Sequence, residues 1–283
     1  MTWPTSPLPN SVYVPNESDK RIFGVDISGN QALINWEKMR AYQWPLIRFI
    51  AMRATISWGY KDAWFKTYWK SAKEILSIPR AAYGVLYPLE NIANQVKNVS
   101  EQFTNGQFDG DVIVPDIELD HGASRAQITY AVIEYTNRLK DWGKKPAIIY
   151  SRFSWIQSYM DYQSSKAVDF IESSKWWMAQ YLAKPPREDN RPLSIPAALK
   201  GLKWNVVLHQ TGCTAAGQLF GVSSQELDTN RWLGTEEMFA QVWGVQQDTE
   251  YPGGQPDPSK PIDISAELAA IREAATRIEE KVK

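Results

Sequence analysis

The segment Asp111-Val-Ile-Val-Pro-Asp-Ile-Glu-Leu-Asp120 carries the most chemistry in this chain: an apolar run that ends abruptly in alternating acids. In an extended strand, residues i and i+2 point the same way with Cα atoms ~6.5 Å apart, so Asp116 and Glu118 share a face. Two carboxyls that close oppose each other's ionisation, and one of them keeps its proton toward neutral pH. A protonated carboxyl beside an ionised one is what acid-assisted cleavage of a glycosidic bond requires. The same pair is also compatible with a solvated strand end, and the D-x-E pattern alone does not separate the two readings. Two more acids bear on the choice. Asp26 sits inside the apolar run Phe23-Gly-Val-Asp-Ile-Ser28, and Glu226-Leu-Asp-Thr-Asn230 sets Asp228 and Asn230 two residues apart. An acid in an apolar run is costly unless it is hydrogen-bonded or used. Asp26 and Asp228 are therefore either further members of a site or acceptors for backbone amides.

These acids need a scaffold that brings distant strand ends together. Between residues 21 and 244 the sequence alternates short apolar runs with longer amphipathic stretches. The runs are Phe23 to Ile27, Phe49 to Ala54, Ala82 to Leu86, Val112 to Ile117, Ala147 to Tyr150, Trp177 to Tyr181 and Val206 to Gln210, with a weaker one at Glu226 to Asp228. Most are apolar on both faces, which suits parallel strands covered by helices. Spacings of three and four predict helices over Trp64 to Leu76 and Ala126 to Trp142. Seven or eight such units predict an α/β fold, a (β/α) barrel whose C-terminal mouth gathers the acids. The Gly-rich phosphate turn of a doubly wound sheet is absent from the sequence.

Outside that span the composition changes. Residues 1–20 hold Pro4, Pro7, Pro9 and Pro15 without an apolar signal-peptide core and read as a tail. Residues 245–262 carry Pro252, Pro256, Pro258, Pro261, Gly253 and Gly254 and read as a linker. In residues 263–283, Ile264, Leu268, Ile271, Ala275, Ile278 and Val282 form a heptad seam, with Glu273 and Glu279 each four residues before a cation. That helix either docks on its own domain or joins chains by self-association.

Charge narrows the partners. With 31 basic against 32 acidic side chains, no net field draws the protein onto nucleic acid or an anionic membrane. No stretch is apolar and long enough to insert in a bilayer. One cysteine, Cys213, and two histidines, His121 and His209, leave little for a metal site, so no metal or cofactor is expected. Cys213 reads as a small buried residue, His209 as a satisfied core histidine and His121 as a loop residue. The 13 Trp, 13 Tyr and 9 Phe exceed what a core needs and make sugar rings plausible ligands.

With those residues in view, the chain resembles the lysozymes (N-acetylmuramidases) of glycoside hydrolase family 25. The resemblance runs in order from Gly24 to Gly234 through Gly24-Val-Asp-Ile-Ser28, Gln31, Ile34-Asn-Trp36, Arg53-Ala-Thr55, Asp62, Phe65 and Ala82-Tyr83. It continues through Asp116-Ile-Glu118, Ile149-Tyr150, Trp177-Met-Ala-Gln-Tyr181, Gln210 and Asp228-Thr-Asn230. It implies an irregular (β/α) barrel and hydrolysis of the β-1,4 bond between N-acetylmuramic acid and N-acetylglucosamine in peptidoglycan. By the same resemblance Glu118 is the general acid/base and Asp116 the carboxylate that orients the substrate's N-acetyl group. Asp26 and Asp228 complete the site, and the family favours a substrate-assisted, retaining route. Tyr83, Tyr150, Trp177, Tyr181, Gln210 and Asn230 match positions that line the cleft, and core packing is their other reading. Asp62 suits a helix cap equally well. Two positions depart from the family pattern: Gly84 stands where a histidine is usual after the tyrosine, and His209 where a tryptophan is common before the glutamine. Substrate contacts are expected to differ there, with the acids intact. A phage lysin or virion-associated protein made in the bacterial cytoplasm, or one exported by a non-classical route, fits the expected absence of a leader. The other function class is a non-catalytic wall-binding or structural module of a phage particle or secretion apparatus.

Overall fold

Among the described residues nine strands form, all but β3 on the expected apolar runs: β1 (Phe23–Ile27), β2 (Ile47–Ile56), β3 (Tyr60–Lys61), β4 (Arg80–Val85), β5 (Val112–Asp116), β6 (Ile148–Ser151), β7 (Lys175–Ala179), β8 (Asn205–Ala216) and β9 (Glu226–Trp232). Seven α-helices accompany them among the described residues: α1 (Trp36–Ala41), α2 (Phe65–Ser71), α3 (Ile92–Ser100), α4 (Arg125–Gly143), α5 (Phe153–Tyr159), α6 (Ser165–Ser173) and α7 (Glu236–Trp243). The computed structural model describes residues 12–181, 188, 191–224 and 226–245. Apart from Val245, the expected linker and heptad helix lie outside the described residues.

The strands run in the order β1-β9-β8-β7-β6-β5-β4-β2, and β1 pairs with β2 to close an eight-stranded barrel, with β3 as a hairpin partner of β2. The expected barrel is therefore present, but it is not parallel throughout. β9 is antiparallel to both β8 and β1. The reason is local: only the short turn Gly217–Phe220 and a few neighbours join β8 to β9, too few residues for a helical crossover. β9 extends to Trp232, well past the weak run the sequence suggests.

Side-chain alternation splits the core in two. Phe49, Ala51, Ala81, Val112, Val114, Ile148 and Trp177 fill the barrel interior, together with Phe239, Val242 and Trp243 of α7. Trp243 lies on Phe49 with ring centroids 4.9 Å apart. A Cβ on Gly24 would meet the Phe49 ring at 2.4 Å, so the glycine is what lets that ring cross the interior. A second, larger layer, including Ile50, Met52, Ile113, Ile149, Trp176 and the inner faces of the helices, packs around the outside. The lower barrel is thus solid, and alternation leaves the inward residues nearer the other end to form the site.

The expected helices form with small changes. Trp64 to Leu76 becomes α2 followed by a π-helical turn over Ala72–Leu76. α4 begins at a capping box in which Ser124 and Gln127 satisfy each other's backbone, and it ends at Lys144 in the left-handed region.

The expected tail needs correcting from Val12 onward; residues 1–11 lie outside the described residues. Val12 and Tyr13 are buried, Tyr13 forms a bridge with Ala215, and its hydroxyl bonds that of Thr229. Arg231, on the outer face of β9 and 0% exposed, donates to the carbonyls of Asn16 (3.1 Å) and Arg21 (3.2 Å) and to Glu188 Oε2 (2.7 Å). Its guanidinium also lies over the Phe23 ring. The N-terminal strap does over β8 and β9 what crossover helices do over parallel strands.

Candidate active site

The four acids singled out in the sequence line one cavity of about 280 Å³, shared with Arg53, Tyr83, Tyr87, Tyr150, Trp177 and Gln210. Ser28, Asn30, Ile56, Val85, Val114 and Leu119 complete its wall. β1 and β5 present Asp26 and Asp116 at or next to their last residue, and Glu118 follows two residues on. Asp228 arrives by a different geometry. Because β9 runs in reverse, its beginning is what lies at the mouth, and the register sets Asp228 opposite Asp26.

These two acids hydrogen-bond each other, and burial pushes both upward from the ordinary carboxylate range. Asp26 is the anionic end. Its Oδ2 accepts from Asn230 Nδ2 (2.8 Å) and Gln210 Nε2 (2.9 Å), which oppose the burial effect, while the Asp26 charge raises Asp228 further. Gln210 is itself fixed, since its Oε1 accepts from the hydroxyls of Tyr150 (2.7 Å) and Tyr181 (2.8 Å). Asn230 Oδ1 accepts from Trp177 Nε1 at 2.8 Å. Asn230 thus needs correcting as a substrate contact: it is fully buried, both ends of its amide are spent inside the protein, and it orients Asp26 from below. Tyr181, about half exposed, stands at the edge.

On the opposite wall, burial raises Asp116 well above its ordinary value, and the neighbouring charges of Glu118 and Asp26 raise it further. Its Oδ1 is buried without a hydrogen-bond partner among the described residues, the state of an acceptor awaiting a donor. Glu118 is also raised by burial, but Arg152 opposes the rise, its guanidinium standing 3.6 Å from Glu118 Oε2. The pairing follows from register: Asp116 lies beside Tyr150 across β5 and β6, so two residues further on Glu118 meets Arg152.

Sequence reasoning did not assign Arg53, Arg152 or Tyr87 to the site. Arg53 donates to Asp62 Oδ2 (2.9 Å), and that oxygen also accepts from the Gly29 amide (2.8 Å). Asp62 Oδ1 takes the Trp64 amide at the start of α2 (3.0 Å). Asp62 is thus a helix-start acceptor and also a clamp joining the Ser28–Asn30 turn to Arg53. Tyr87 carries the His121 ring on its face, centroids 3.8 Å apart, which places the loop histidine beside the mouth.

The family resemblance left two departures, and both point away from the cavity. Gly84 faces the helices, where a Cβ would meet the Tyr135 hydroxyl at 2.4 Å, so Tyr135 of α4 occupies the space of a larger side chain. His209 is buried on the outer face, with Nε2 donating to the Gln180 carbonyl at 2.9 Å, and burial lowers it toward the neutral form. Cys213 is only half-buried rather than fully buried, and burial raises its thiol.

The sequence model of glycosyl hydrolases family 25 matches residues 25–204, more than half of the chain. The chain belongs to that family. It is a glycoside hydrolase with the family's TIM-like barrel. Solved structures agree on the fold. A bacterial lysozyme from Streptomyces coelicolor superposes with a TM-score of 0.60 at 21% identity, covering 80% of this chain and 99% of that one. The catalytic domain of the endolysin ply40 from bacteriophage P40 of Listeria monocytogenes gives 0.61 at 13%, covering 80% and 99%. A family 25 glycosyl hydrolase from Bacillus anthracis gives 0.58 at 19%, covering 80% and 95%. No curated protein matches the chain in sequence.

Proposed function

We propose that the protein is an N-acetylmuramidase that cleaves the β-1,4 bond between N-acetylmuramic acid and N-acetylglucosamine in bacterial peptidoglycan, by a retaining, substrate-assisted route. The observation that carries this reading is the convergence of Asp26, Asp116, Glu118 and Asp228 on one cavity. Glu118 donates its proton to the glycosidic oxygen, which departs with the N-acetylglucosamine as its bond to the anomeric carbon of N-acetylmuramic acid breaks, while the acetamide carbonyl oxygen of that N-acetylmuramic acid attacks the same carbon, giving a cyclic oxazolinium ion. Glu118, now a carboxylate, takes a proton from the water that opens this ring. Asp116 Oδ1, the buried acceptor without a partner, receives the acetamide N–H and aligns the attacking oxygen.

That contact also places the proton. In the free enzyme burial pushes both Asp116 and Glu118 upward, and the Glu118 charge raises Asp116 further. An N–H donated to Asp116 favours its ionised form, and the resulting charge holds the proton on Glu118, where the reaction needs it. The Asp26–Asp228 pair, braced by Asn230 and Gln210, supplies negative potential toward the oxocarbenium-like transition state. The Tyr83, Tyr150 and Trp177 rings shape the floor for a pyranose. The endolysin neighbour supports action at the cell wall, as a phage lysin or virion-associated protein.

Clearing of purified cell walls tests the assignment. Glu118→Gln keeps the shape and removes the proton, so the rate should fall at least about a hundredfold. Mass spectrometry of the released muropeptides should show new reducing N-acetylmuramic acid. A barrel that only adheres would sediment with the walls and leave no new reducing ends.

A further inference from the structure

The mouth of the barrel carries an exposed tryptophan that the catalytic cavity does not use. Trp58, 54% exposed, sits in the turn between β2 and β3, two residues after the cavity-lining Ile56. Its Nε1 donates to Glu90 Oε2 at 3.0 Å, and Glu90 lies three residues after Tyr87, which also lines the cavity. The indole therefore stands beside the opening, bridging the loops that follow β2 and β4.

Both loops are held from beneath by one row of buried amides. Gln95 accepts the Tyr87 amide (3.0 Å) and donates to the carbonyls of Tyr87 (2.9 Å) and Glu90 (3.3 Å). Asn98 donates to the carbonyls of Ser57 (2.9 Å) and Tyr60 (3.0 Å), on either side of Trp58. Gln102 donates to the carbonyls of Ala54 (2.7 Å) and Asp62 (3.2 Å). Gln95 and Asn98 share a face of α3, Gln102 lies in the turn that follows it, and all three are buried. Ser57 adopts a left-handed conformation with φ of 53°, a strain that persists only where its surroundings enforce it. An indole half in water contributes little to the core, yet the loops that carry it are fixed by the same buried side chains that hold cavity-lining Tyr87. Rigid placement of an exposed aromatic face next to a carboxylate is the chemistry of sugar recognition: the ring face covers the C–H surface of a pyranose, and the carboxylate accepts from its hydroxyls.

We propose that Trp58 and Glu90 form a separate glycan subsite that stacks one further pyranose of the polysaccharide outside the catalytic cavity. The inference rests on the muramidase reading for the identity of the glycan, and its test separates the two. Peptide-free glycan oligosaccharides from disaccharide to octasaccharide are titrated calorimetrically against the full chain carrying Glu118→Gln, with and without Trp58→Ala, and turnover of the same series is measured with Glu118 intact. The Trp58→Ala penalty should grow with chain length to about tenfold in Kd and KM for the longest oligosaccharides, the order expected for one lost ring-sized contact. Trp58→Phe, which keeps a stacking face, should recover most of it. A penalty that is absent or equal at every length overturns the subsite and leaves the muramidase reading standing if the parent cleaves. If the parent cleaves no oligosaccharide and Trp58→Ala still weakens binding with length, the muramidase reading falls and the subsite stands.

Discussion

Replacing Arg152 by Gln removes the cation paired with Glu118, and the sign of the resulting pH shift reports what Glu118 does. The guanidinium stands 3.6 Å from Glu118 Oε2, with side-chain exposures of 47% and 32%. At that separation and exposure the screening of water applies, and Coulomb's law gives about 1 kcal/mol in favour of the ionised carboxylate. Loss of the cation makes ionisation harder, so Glu118 keeps its proton to higher pH. If Glu118 is the general acid, activity falls as pH rises through its titration, and the alkaline limb of the kcat–pH profile of Arg152→Gln moves up, by less than about one pH unit. Arg152→Lys retains a charge and should hold the limb near its original place. The four carboxyls titrate as a group, so the limb belongs to the set, but the direction of its movement does not change. Profiles recorded on soluble glycan oligosaccharides at fixed ionic strength provide the assay. If Glu118 instead acted as an ionised nucleophile, the same variant would move the acid limb upward and leave the alkaline limb in place. An unmoved profile, or an alkaline limb displaced downward, refutes the general-acid assignment and the coupling to Arg152.

Two further outcomes follow from buried charge. Asp228 is raised by burial and by Asp26, so the folded state holds its proton more tightly than the unfolded chain does. The associated stability is fully present below the unfolded carboxyl range and is lost as pH rises through the raised value, which leaves the site destabilising at neutral pH. Asp228→Asn, whose amide still donates to Asp26, should stabilise by about 1–2 kcal/mol at neutral pH, a Tm gain of roughly 2–8 °C that fades toward pH 4. A Tm gain equal at both pH values would contradict the charge argument. Arg231→Met strands the buried Glu188 carboxylate and should cost about 3–5 kcal/mol, a Tm loss on the order of 10 °C, whereas adding Glu188→Gln should restore more than half of it. A single-variant loss near zero in thermal unfolding would mean that the N-terminal strap is not anchored there.

How far the site was legible depends on which geometric relation each residue needs. Asp116 and Glu118 share a face by the two-residue period, and no tertiary knowledge is required. The same period correctly put Asp228 and Asn230 on one face but could not give their depth, because β9 runs against β1 and its first residues, not its last, reach the mouth. Asn230 therefore sinks beneath Asp26 instead of facing substrate. Arg152 was out of reach for another reason: its pairing with Glu118 depends on the parallel register between β5 and β6, and register is set by tertiary packing. The buried strap residues Val12 and Tyr13 are too short an apolar stretch to show any period, and the surrounding prolines hid them. Alternation also decides the meaning of the two family departures. Tyr83 and Gln210 face inward, so their neighbours Gly84 and His209 must face out, and the structure has them packing against Tyr135 and the Gln180 carbonyl. Both departures alter how helices and loops sit on the barrel and leave the floor of the cavity as it is. On the muramidase reading, glycan contacts beyond the cavity floor fall to the mouth, where Arg152, Tyr87 and Trp58 project from strand-end loops and where the inward-facing pattern of the strands imposes no constraint.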